Sequence, residues 1–525
     1  MRRKRFLGWF SLLLAGILVV SGCSGGGSKG DSADSGNRAK SITIVSGTDI
    51  QQLDVHKVSD SPSFTVLEHV NETLFYITED GKVEPLLATS FNQSLGGKKV
   101  TVKLKKGIKF SDGTPFNAEA VKKNFDRIMN PETKSAFGFL LGNIEKVTAV
   151  DAETVEFDLK APFAPLQYVL GHGFTAMISP AHLEKGPDAM GTTTVGTGPY
   201  LVKEWKKGES VTLVRNDKYW GAKALTEELV FKMVKEDGPR MVEVESGTAD
   251  VALRVPPSEI ARLKANPNLE IVTTPGLRTI FIYMNVTKPP LDNVKVRQAI
   301  NHAVDKEAIV ASILGGMGRV SDAPIAPAIF GYSKQQVYAY NKERAKDLLK
   351  QAGFEGGFKI ELLHPNGRYP QDARVAEAVA AQLKEVGIEV TLRTMEWADY
   401  IPHTGKPQAE NQVQMAMLGW STPTMDADYG LFSLFHSSAQ APAGFNRGFY
   451  SSNVVDSSLN LGRTDNLAAN RQYQYSQAIQ AIWRDAPWLF LYSEVQVSAI
   501  RKGVTGVVIH PSERLIANRA EKANQ

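Results

Sequence analysis

The sequence is almost without cysteine: its 525 residues contain one, Cys23. The rest of the chain therefore cannot form disulfides, hold a metal through thiolates or use a cysteine nucleophile. A body of this length must be stabilised by buried apolar side chains, and it is long enough for two or three domains.

A strong charge of one sign is also missing. The formal net charge is +4, and Arg2, Arg3, Lys4 and Arg5 account for all of it, so the remaining chain is formally neutral. The positive excess belongs to the N-terminus and gives no reason to expect a nucleic-acid partner.

The motifs of common enzymes are missing as well. After residue 40 there is no Gly-x-Ser-x-Gly elbow, phosphate-binding glycine loop or His-Glu-x-x-His, and the nine histidines contain no pair four residues apart. Paired carboxylates such as Asp426 and Asp428 are too common to establish glycosidase or protease chemistry. We therefore predict a binding protein without a cofactor or resident metal rather than an enzyme; a surface hydrolase is the alternative from another class.

The N-terminus carries an export pattern. A basic start precedes the apolar run Phe6–Val20, and Ser21-Gly22-Cys23 follows. This pattern predicts a signal peptide over residues 1–22. The run resembles a bacterial lipobox, which implies that Cys23 becomes a lipidated N-terminus. An uncleaved anchor helix is the alternative, but the apolar run is short for a membrane span.

Residues 23–40 are predicted to be a flexible linker that follows the lipidated cysteine. They are rich in glycine and serine and hold almost no apolar side chain. No second long apolar run occurs later in the chain. We therefore predict an extracytoplasmic protein that is anchored to the cell membrane by lipid and does not span it.

Helical and strand periods alternate along the body, which predicts an α/β fold. Asn117 is predicted to cap a helix that ends near Pro131. Residues 358–392 predict two parallel strands joined by the helix Asp372–Val386. Two further helices are predicted, at about 296–313 and 341–352. The glycine-rich segment Gly196–Tyr200 predicts a turn whose backbone lies close to a ligand or to another strand.

Several long strings of the body form a recognisable series. They are Leu53–His56 with Val66–Leu74, Leu104–Phe116, Gly196–Tyr200 with Arg215–Trp220, Val294–Ala303, Gly419–Asp428, Leu434-Phe435 and Phe449–Asn453. These strings resemble the peptide/nickel-type (family 5) solute-binding proteins of ABC importers, closest to the glutathione-binding and oligopeptide-binding branch. They are ordered and spread over nearly the whole body, so the resemblance is specific.

The resemblance implies a periplasmic-binding-protein fold with two discontinuous, hinged lobes and an extra inserted α+β domain. Lobe I takes residues 41–76, 198–278 and 482–525, the inserted domain takes 77–197, and lobe II takes 279–481. The chain is expected to cross between the lobes near Met284-Asn285 and near Ala481. The implied protein is a monomer that binds a short peptide or a glutathione-like ligand and passes it to membrane permease subunits.

A peptide with both terminal charges needs a carboxylate for its amine and a cation for its own carboxylate. The resemblance implies that dipeptide-binding relatives hold the amine with an aspartate three residues after a tryptophan, but here Pro423 stands three residues after Trp420. Asp426 and Asp428 lie just beyond and are the candidates for a displaced amine, with capping as the alternative role of Asp426. Asp428 also replaces a histidine of nickel-binding relatives, which argues against a nickel–histidine site.

Arg368 is the candidate partner of a ligand carboxylate. It lies in a predicted loop after a strand, and ligands of α/β sheets bind at the carboxyl ends of strands. The guanidinium fork suits a carboxylate, and a surface or interlobe ion pair is the alternative.

Aromatic side chains are candidate walls of the ligand cleft, with packing in the core as their alternative role. These candidates are Tyr369, Trp397, Tyr400 and Trp420, and Trp397 is the one most suited to the core. Asn446, with Arg447 and Tyr450, completes the candidate set.

Isolated histidines are candidate metal ligands at four positions, His56, His69, His302 and His436. A structural hydrogen bond is the alternative role of each. A receptor of the same fold for a nickel or other metal chelate is the second functional hypothesis, because a chelator supplies ligands that the protein lacks.

Overall fold

The structure is a computed structural model, and it describes residues 40–366 and 368–523. The predicted signal peptide, Cys23 and all of the predicted linker before Lys40 lie outside the described residues. Within these two ranges, no helix is both long and apolar enough to cross a membrane.

Short and medium strands recur along the whole described chain. They are β1 Ser41–Ser46, β2 Phe75–Ile77, β3 Val83–Pro85, β4 Ala88–Gln93, β5 Lys99–Leu104, β6 Ile144–Asp151, β7 Thr154–Leu159, β8 Tyr200–Lys206, β9 Ser210–Arg215, β10 Glu228–Met233, β11 Val251–Ala252, β12 Leu269–Met284, β13 Gly318–Val320, β14 Phe358–His364, β15 Ile388–Thr394, β16 Met415–Trp420, β17 Trp488–Arg501, β18 Val504–Thr505, β19 Val508–Ile509, β20 Leu515–Ile516 and β21 Glu521–Lys522.

Helices alternate with these strands. They are α1 Ser61–Leu67, α2 Ala118–Met129, α3 Leu166–Val169, α4 Pro180–Leu183, α5 Pro187–Thr192, α6 Asp237–Ser246, α7 Pro257–Lys264, α8 Val294–Ala303, α9 Lys306–Ser312, α10 Lys342–Gln351, α11 Asp372–Lys384, α12 Trp397–Thr404, α13 Ser433–Phe435, α14 Asn453–Thr464 and α15 Ala468–Asp485. A π-helical turn, Asp428–Phe432, leads directly into α13.

One large sheet carries both halves of the molecule. Its strand order is β15-β14-β16-β12-β17-β11-β1-β10-β9-β8, and β13 also pairs with β17. We call β8–β11 with β1 the first half and β14–β16 the second half. The second half has α8, α10 and α11 packed on one face and α14 and α15 on the other. Helices α6 and α7 cover one face of the first half.

Strands β12 and β17 run through both halves as an antiparallel pair. In the first half, Leu269–Pro275 pairs with Val495–Arg501, next to β11. In the second half, Thr279–Met284 pairs with β16 on one side, and Thr279–Tyr283 pairs with β17 on the other. The register shifts between Pro275 and Thr279, and β12 gains β16 as a second neighbour after this shift. The predicted crossings near Met284-Asn285 and near Ala481 stay predictions. The domain boundaries themselves remain predictions.

A second sheet, β4-β5-β7-β6, lies within the predicted inserted domain and is antiparallel throughout. The ring of Phe157, in β7 of this sheet, packs edge-on against Phe125 of α2, with 5.1 Å between the ring centroids. Both belong to the same buried apolar cluster as Ile44 and Leu213 of the first half. The second sheet and the first half of the large sheet therefore share one core.

The local predictions are largely confirmed. Helix α2 begins at the Asn117 cap, whose side chain accepts a hydrogen bond from Ala120, and it ends before Asn130. Strands β14 and β15 are parallel and joined by α11, as predicted. The helix predicted at 296–313 is wrong as one element, because Asp305 caps a new helix and separates α8 from α9.

The turn at Gly196–Tyr200 lies against the protein's own backbone. The amide of Gly198 donates to the carbonyl of Val70 at 2.9 Å. A Cβ atom on Gly196 would lie 2.0 Å from the same carbonyl oxygen. The glycine is therefore required by a close approach of two chain segments, which is the second of the two predicted reasons.

We expect Gly196→Ala to lower the free energy of unfolding by about 2–3 kcal/mol, because the added methyl overlaps backbone that cannot rotate away. Urea unfolding followed by circular dichroism measures this loss. Gly191→Ala is the matched control, because a Cβ on this glycine of α5 meets nothing within 4 Å. Equal unfolding midpoints for the two variants would contradict the argument.

Candidate functional site

A cavity of about 690 Å³ lies between the two halves of the molecule. Its walls come from α1 and the segment before it, from Phe137 and the 171–173 segment, from the β12 crossing, from the loops around β14, β16 and α12, and from the turn 512–514. Arginine and aromatic side chains are prominent among the lining residues, which include Asp60, Glu68, Arg254, Arg278, Arg368, Tyr369, Trp397, Trp420, Tyr429, Phe445, Arg447, Glu513 and Arg514.

Three arginines of the cavity are neutralised by carboxylates of the protein. Glu513 accepts from Arg254 at 2.6 Å and from Arg278 at 2.9 Å. Burial alone would raise the pKa of the Glu513 carboxyl, but Arg278 and Arg254 hold it below its ordinary value. Both carboxylate oxygens of Glu68 accept from Nη1 of Arg514, at 2.5 and 2.6 Å.

Arg278 lies at the register shift of β12 and also faces Glu494 of β17, with 3.3 Å between Nε and Oε2. Burial raises the pKa of Glu494 to about 7, although Arg278 acts in the opposite direction. Strands β12 and β17 therefore border the cavity with a buried ion-pair network, in which Glu494 and Glu513 hold Arg278 in place.

Arg368 has a different environment. Its guanidinium carbon lies 5.1 Å from the ring centroid of Tyr369 and 4.9 Å from that of Trp397. Among residues 40–366 and 368–523, no carboxylate forms an ion pair with it. The backbone amides of Arg368 and Tyr369 both donate to Asp372, which fixes the loop between β14 and α11. Aromatic stacking therefore positions this cation without neutralising it.

Asp60 brings an acidic group to the opposite wall. Its Oδ1 accepts from the amide of Ser63 at 2.8 Å and so caps α1. Its Oδ2 is buried and has no hydrogen-bond partner in the described part of the chain. Burial raises the pKa of this carboxyl. A buried acceptor without a partner is costly, so this oxygen is suited to a ligand donor.

Trp420 forms an aromatic wall with two neighbours. Its ring stacks on Tyr429 at 5.4 Å and lies 4.8 Å from Phe445. Phe139, from the predicted inserted domain, packs on Tyr429 at 6.2 Å. The indole Nε1 of Trp420 is buried without a hydrogen-bond partner among the described residues. This wall offers apolar area and one free donor.

Asp426 and Asp428 lie away from the cavity lining, each in an ion pair. Both carboxylate oxygens of Asp426 accept from Arg471, at 2.8 and 2.7 Å, and the pair is almost fully buried. Asp428 is bound by Arg463 through two nitrogens, at 2.8 and 3.0 Å. Their negative charge is used inside the protein, so neither carboxylate is free for an amine.

Tyr400 and Asn446 are buried behind the cavity wall. The hydroxyl of Tyr400 donates to the carbonyl of Met417 at 2.7 Å. The amide of Asn446 donates to the carbonyl of Tyr450 at 2.8 Å and accepts from its N–H. The hydroxyl of Tyr450 in turn donates to Asp485. These residues support the wall. Of the sequence candidates, the cavity lining brings together Arg368, Tyr369, Trp397, Trp420 and Arg447.

The four candidate histidines lie in different parts of the fold, and each ring forms its own structural hydrogen bond. Within the described ranges, no group of three or more histidine, cysteine, aspartate or glutamate side chains has the geometry of a metal site. Each ring bonds mainly to the backbone: His56 Nε2 to Ala176 O, His69 Nδ1 to Thr65 O, His302 Nδ1 to Ala339 O, and His436 Nδ1 to Ser438 N.

Sequence reasoning missed several charged residues of the cavity, above all Asp60, Arg278 and Glu513. Asp60-Ser-Pro has the pattern of a helix start, but no pattern reveals that one oxygen stays unpaired. Pro275-Gly276 inside a long strand signals an irregularity and could have drawn attention to Arg278. Glu513 lies far away in sequence and carries no signal.

Comparison with known proteins decides the class. The family of bacterial extracellular solute-binding proteins, family 5, middle part, matches residues 82–442. This chain belongs to that family. It is thus a solute-binding protein of the ABC-importer class, whose members work outside the cytoplasm.

Relatives of this binding protein match nearly its whole length. The glutathione-binding protein GsiB of Salmonella choleraesuis (strain SC-B67) is 34% identical over 476 residues, which is 90% of this chain and 93% of that protein. GsiB of Escherichia coli O1:K1 / APEC is 35% identical over the same shares. The predicted resemblance to family 5 and its glutathione-binding branch is confirmed.

Solved structures confirm the predicted α/β periplasmic-binding-protein fold. HbpA2 from Haemophilus parasuis has a TM-score of 0.84 and 27% identity, and the match covers 92% of this chain and 100% of that one. The periplasmic binding protein DppA from Helicobacter pylori, in complex with the peptide STSA, has a TM-score of 0.76 and 27% identity over 93% and 99%.

We expect Asp426→Ala to destabilise the binding protein by about 3–5 kcal/mol, because it leaves the Arg471 guanidinium buried without its carboxylate. Urea unfolding measures the loss, and the affinity for ligand should stay unchanged under conditions where the variant is folded. The matched control is Asp80→Ala, which removes the partner of Lys82 from an exposed pair and should change stability little. Weaker ligand binding at unchanged stability would place Asp426 at the ligand after all.

Proposed function

We propose that this chain captures a short peptide in the cavity between its two halves and delivers it to the permease of an ABC importer. Glutathione is the first candidate ligand. The ligand named for the GsiB relatives and the peptide held by the Helicobacter pylori protein support this choice. The alignment with GsiB, at 34% identity, extends over 90% of this chain and supports the choice further.

The observation that carries the proposal is the pair of opposite charges that the protein leaves free in one cavity. The Oδ2 atom of Asp60, on the wall of the first half, has no partner among the described residues and is proposed to accept from the ligand amine. The Arg368 guanidinium, on the wall of the second half, has aromatic contacts and no paired carboxylate in the described chain, and it is proposed to bind a ligand carboxylate. A zwitterionic peptide satisfies both groups at once.

The aromatic residues supply the remaining contact area. We propose that Tyr369 and Trp397 flank the bound carboxylate and that Trp420 lies against the peptide backbone or a side chain. Its free indole Nε1 suits a peptide carbonyl. Because the ligand contacts both halves, it favours a closed arrangement over an open one, with the β12–β17 pair as the connection that bends.

We further propose that Cys23 carries a lipid and that residues 23–40 tether the monomeric body near its permease. The chain performs no covalent chemistry on its ligand in this proposal. Recovery of the ligand unchanged after incubation tests that part, and conversion of the ligand would instead indicate a hydrolase.

Isothermal titration of the soluble body with glutathione, dipeptides and tripeptides tests the proposed ligand class. Saturable binding of at least one member at micromolar to millimolar concentration is expected. A parallel titration with nickel and L-histidine, together and separately, tests the metal–chelate alternative. Heat exchange only with the metal–histidine mixture would overturn the peptide proposal.

We expect Arg368→Ala to weaken a carboxylate-bearing ligand by about 1.5–3 kcal/mol, because a charge-assisted hydrogen bond is lost. The matched control is Arg374→Ala, which removes the same charge from an exposed position of the neighbouring helix α11. Calorimetric dissociation constants compare the two variants. An unchanged constant for Arg368→Ala would leave this arginine with a structural role only.

We expect Cys23→Ser to release the folded protein from the membrane fraction or to block its processing, because serine offers no sulfur for the lipid. Fractionation of cells and mass measurement of the N-terminus follow this change. The affinity of the soluble body for its ligand should stay the same, since the cavity is built from residues after Lys40. A fall in affinity would mean that the tether belongs to the binding unit.

A further inference from the structure

Arg447 is a buried cation in the wall of the ligand cavity. Its residue is 8% exposed, and it lines the cavity beside Ile401 and Leu418. Its Nη1 donates to the carbonyl of Ile401 at 2.9 Å and also contacts Oγ1 of Thr404. Both partners belong to α12, so Arg447 is held against one side of this helix.

The protein does not neutralise this cation. Among the described residues, no carboxylate forms an ion pair with Arg447; the titratable groups that act on its charge are the phenols of Tyr283, Tyr369 and Tyr400. Burial lowers the pKa of the guanidinium. A buried charge without a counterion is costly, so an anion from outside the chain would relieve this cost.

A second buried arginine shows how the same protein satisfies a guanidinium that has only a structural role. Arg297 is 6% exposed and bonds through all three nitrogens to backbone carbonyls: Nε and Nη2 to Asp485, and Nη1 to Leu291 and Asp292. Arg447 bonds through Nη1 alone. Its Nε and Nη2 have no partner within the described ranges.

The two contacts that Arg447 does make are redundant for the fold. The carbonyl of Ile401 already accepts from the amide of Gly405 at 3.1 Å. The hydroxyl of Thr404 already donates to the carbonyl of Tyr400 at 2.8 Å. Helix α12 would therefore keep its hydrogen bonds without Arg447. The contacts of Arg447 with α12 thus do not offset the cost of burying its charge.

Arg447 and Arg368 lie at successive levels of the same helix. Arg368 stacks on Trp397, the first residue of α12, whereas Arg447 contacts Ile401 four residues later. Four residues of an α-helix span about 6 Å along its axis. The two guanidiniums are thus placed to bind two different anionic groups of one ligand.

We propose that Arg447 binds a second anionic group of the ligand, so that the preferred class is a short peptide with a carboxylate in addition to the one held by Arg368. This inference rests on the proposed peptide-binding function and narrows it to acidic peptides. The other arginines of the cavity do not serve this purpose, because Glu513 and Glu68 already neutralise them.

Calorimetry with ligands that differ by one carboxylate tests the proposal. The probes are glutathione, its two monoamides, and the tripeptides Ala-Glu-Ala and Ala-Gln-Ala. For the unaltered protein we expect the acidic member of each pair to bind about 10- to 100-fold more tightly. For Arg447→Met we expect glutathione to bind about 10- to 100-fold more weakly. The monoamide that lacks the carboxylate bound by Arg447 should bind to the variant and to the unaltered protein equally.

Two further variants separate binding from folding. Arg447→Lys keeps the charge without the fork and should bind glutathione with intermediate affinity. Arg297→Met is the matched control and should lower the thermal midpoint with unchanged affinity, whereas Arg447→Met should keep or raise the midpoint of the ligand-free protein.

Each outcome has a distinct meaning. An equal loss of affinity of Arg447→Met for every probe, or no loss for any, would overturn the role of Arg447 while the peptide-binding function stands. Equal binding of the acidic and amide members by the unaltered protein would do the same. Failure of the unaltered protein to bind any probe would overturn both proposals.

Discussion

The antiparallel pairing of β12 with β17 is the constraint on which the rest of the structure depends. These two strands hydrogen-bond along their length and pass through both halves of the large sheet, so each half is built outward from the same pair. Their register is irregular only around Pro275–Thr279 and Ile280-Phe281. Arg278 lies within the first irregular segment and lines the cavity.

Charge in this cavity is arranged by pairing some groups and leaving others open. Arg254 and Arg278 have Glu513 of the C-terminal turn as their carboxylate partner, and Arg514 has Glu68, which follows α1 directly. Arg368 and Arg447 have none among the described residues, and both lie along α12 in the other half of the molecule. Since a charge withheld from water must be compensated, the unpaired groups indicate where an external ligand would bind, and the paired ones shape the wall.

The sequence predicted the residues whose role follows from local pattern. Asn117 caps α2, and the parallel pair around α11 follows from a regular alternation of apolar residues. Arg368 was predicted from its place after a strand, and the structure puts it in the cavity. Asp426 is a candidate because it follows Trp420, where the family resemblance implies an amine partner, but it lies next to Arg471, which comes 45 residues later in the chain. Local pattern gives the position of a side chain and not its partner.

By itself, the sequence determined the class of this protein, several of its helices and strands, and the absence of thiol chemistry after Cys23, because these follow from composition and from patterns among neighbouring residues. Only the tertiary structure decided which charges stay free. Asp60 and Asp426 are both aspartates outside helices and strands, yet Oδ2 of Asp60 has no hydrogen-bond partner among the described residues, whereas both oxygens of Asp426 are bound by a buried arginine. That difference depends on residues distant in sequence, since an ion pair is formed by proximity in space.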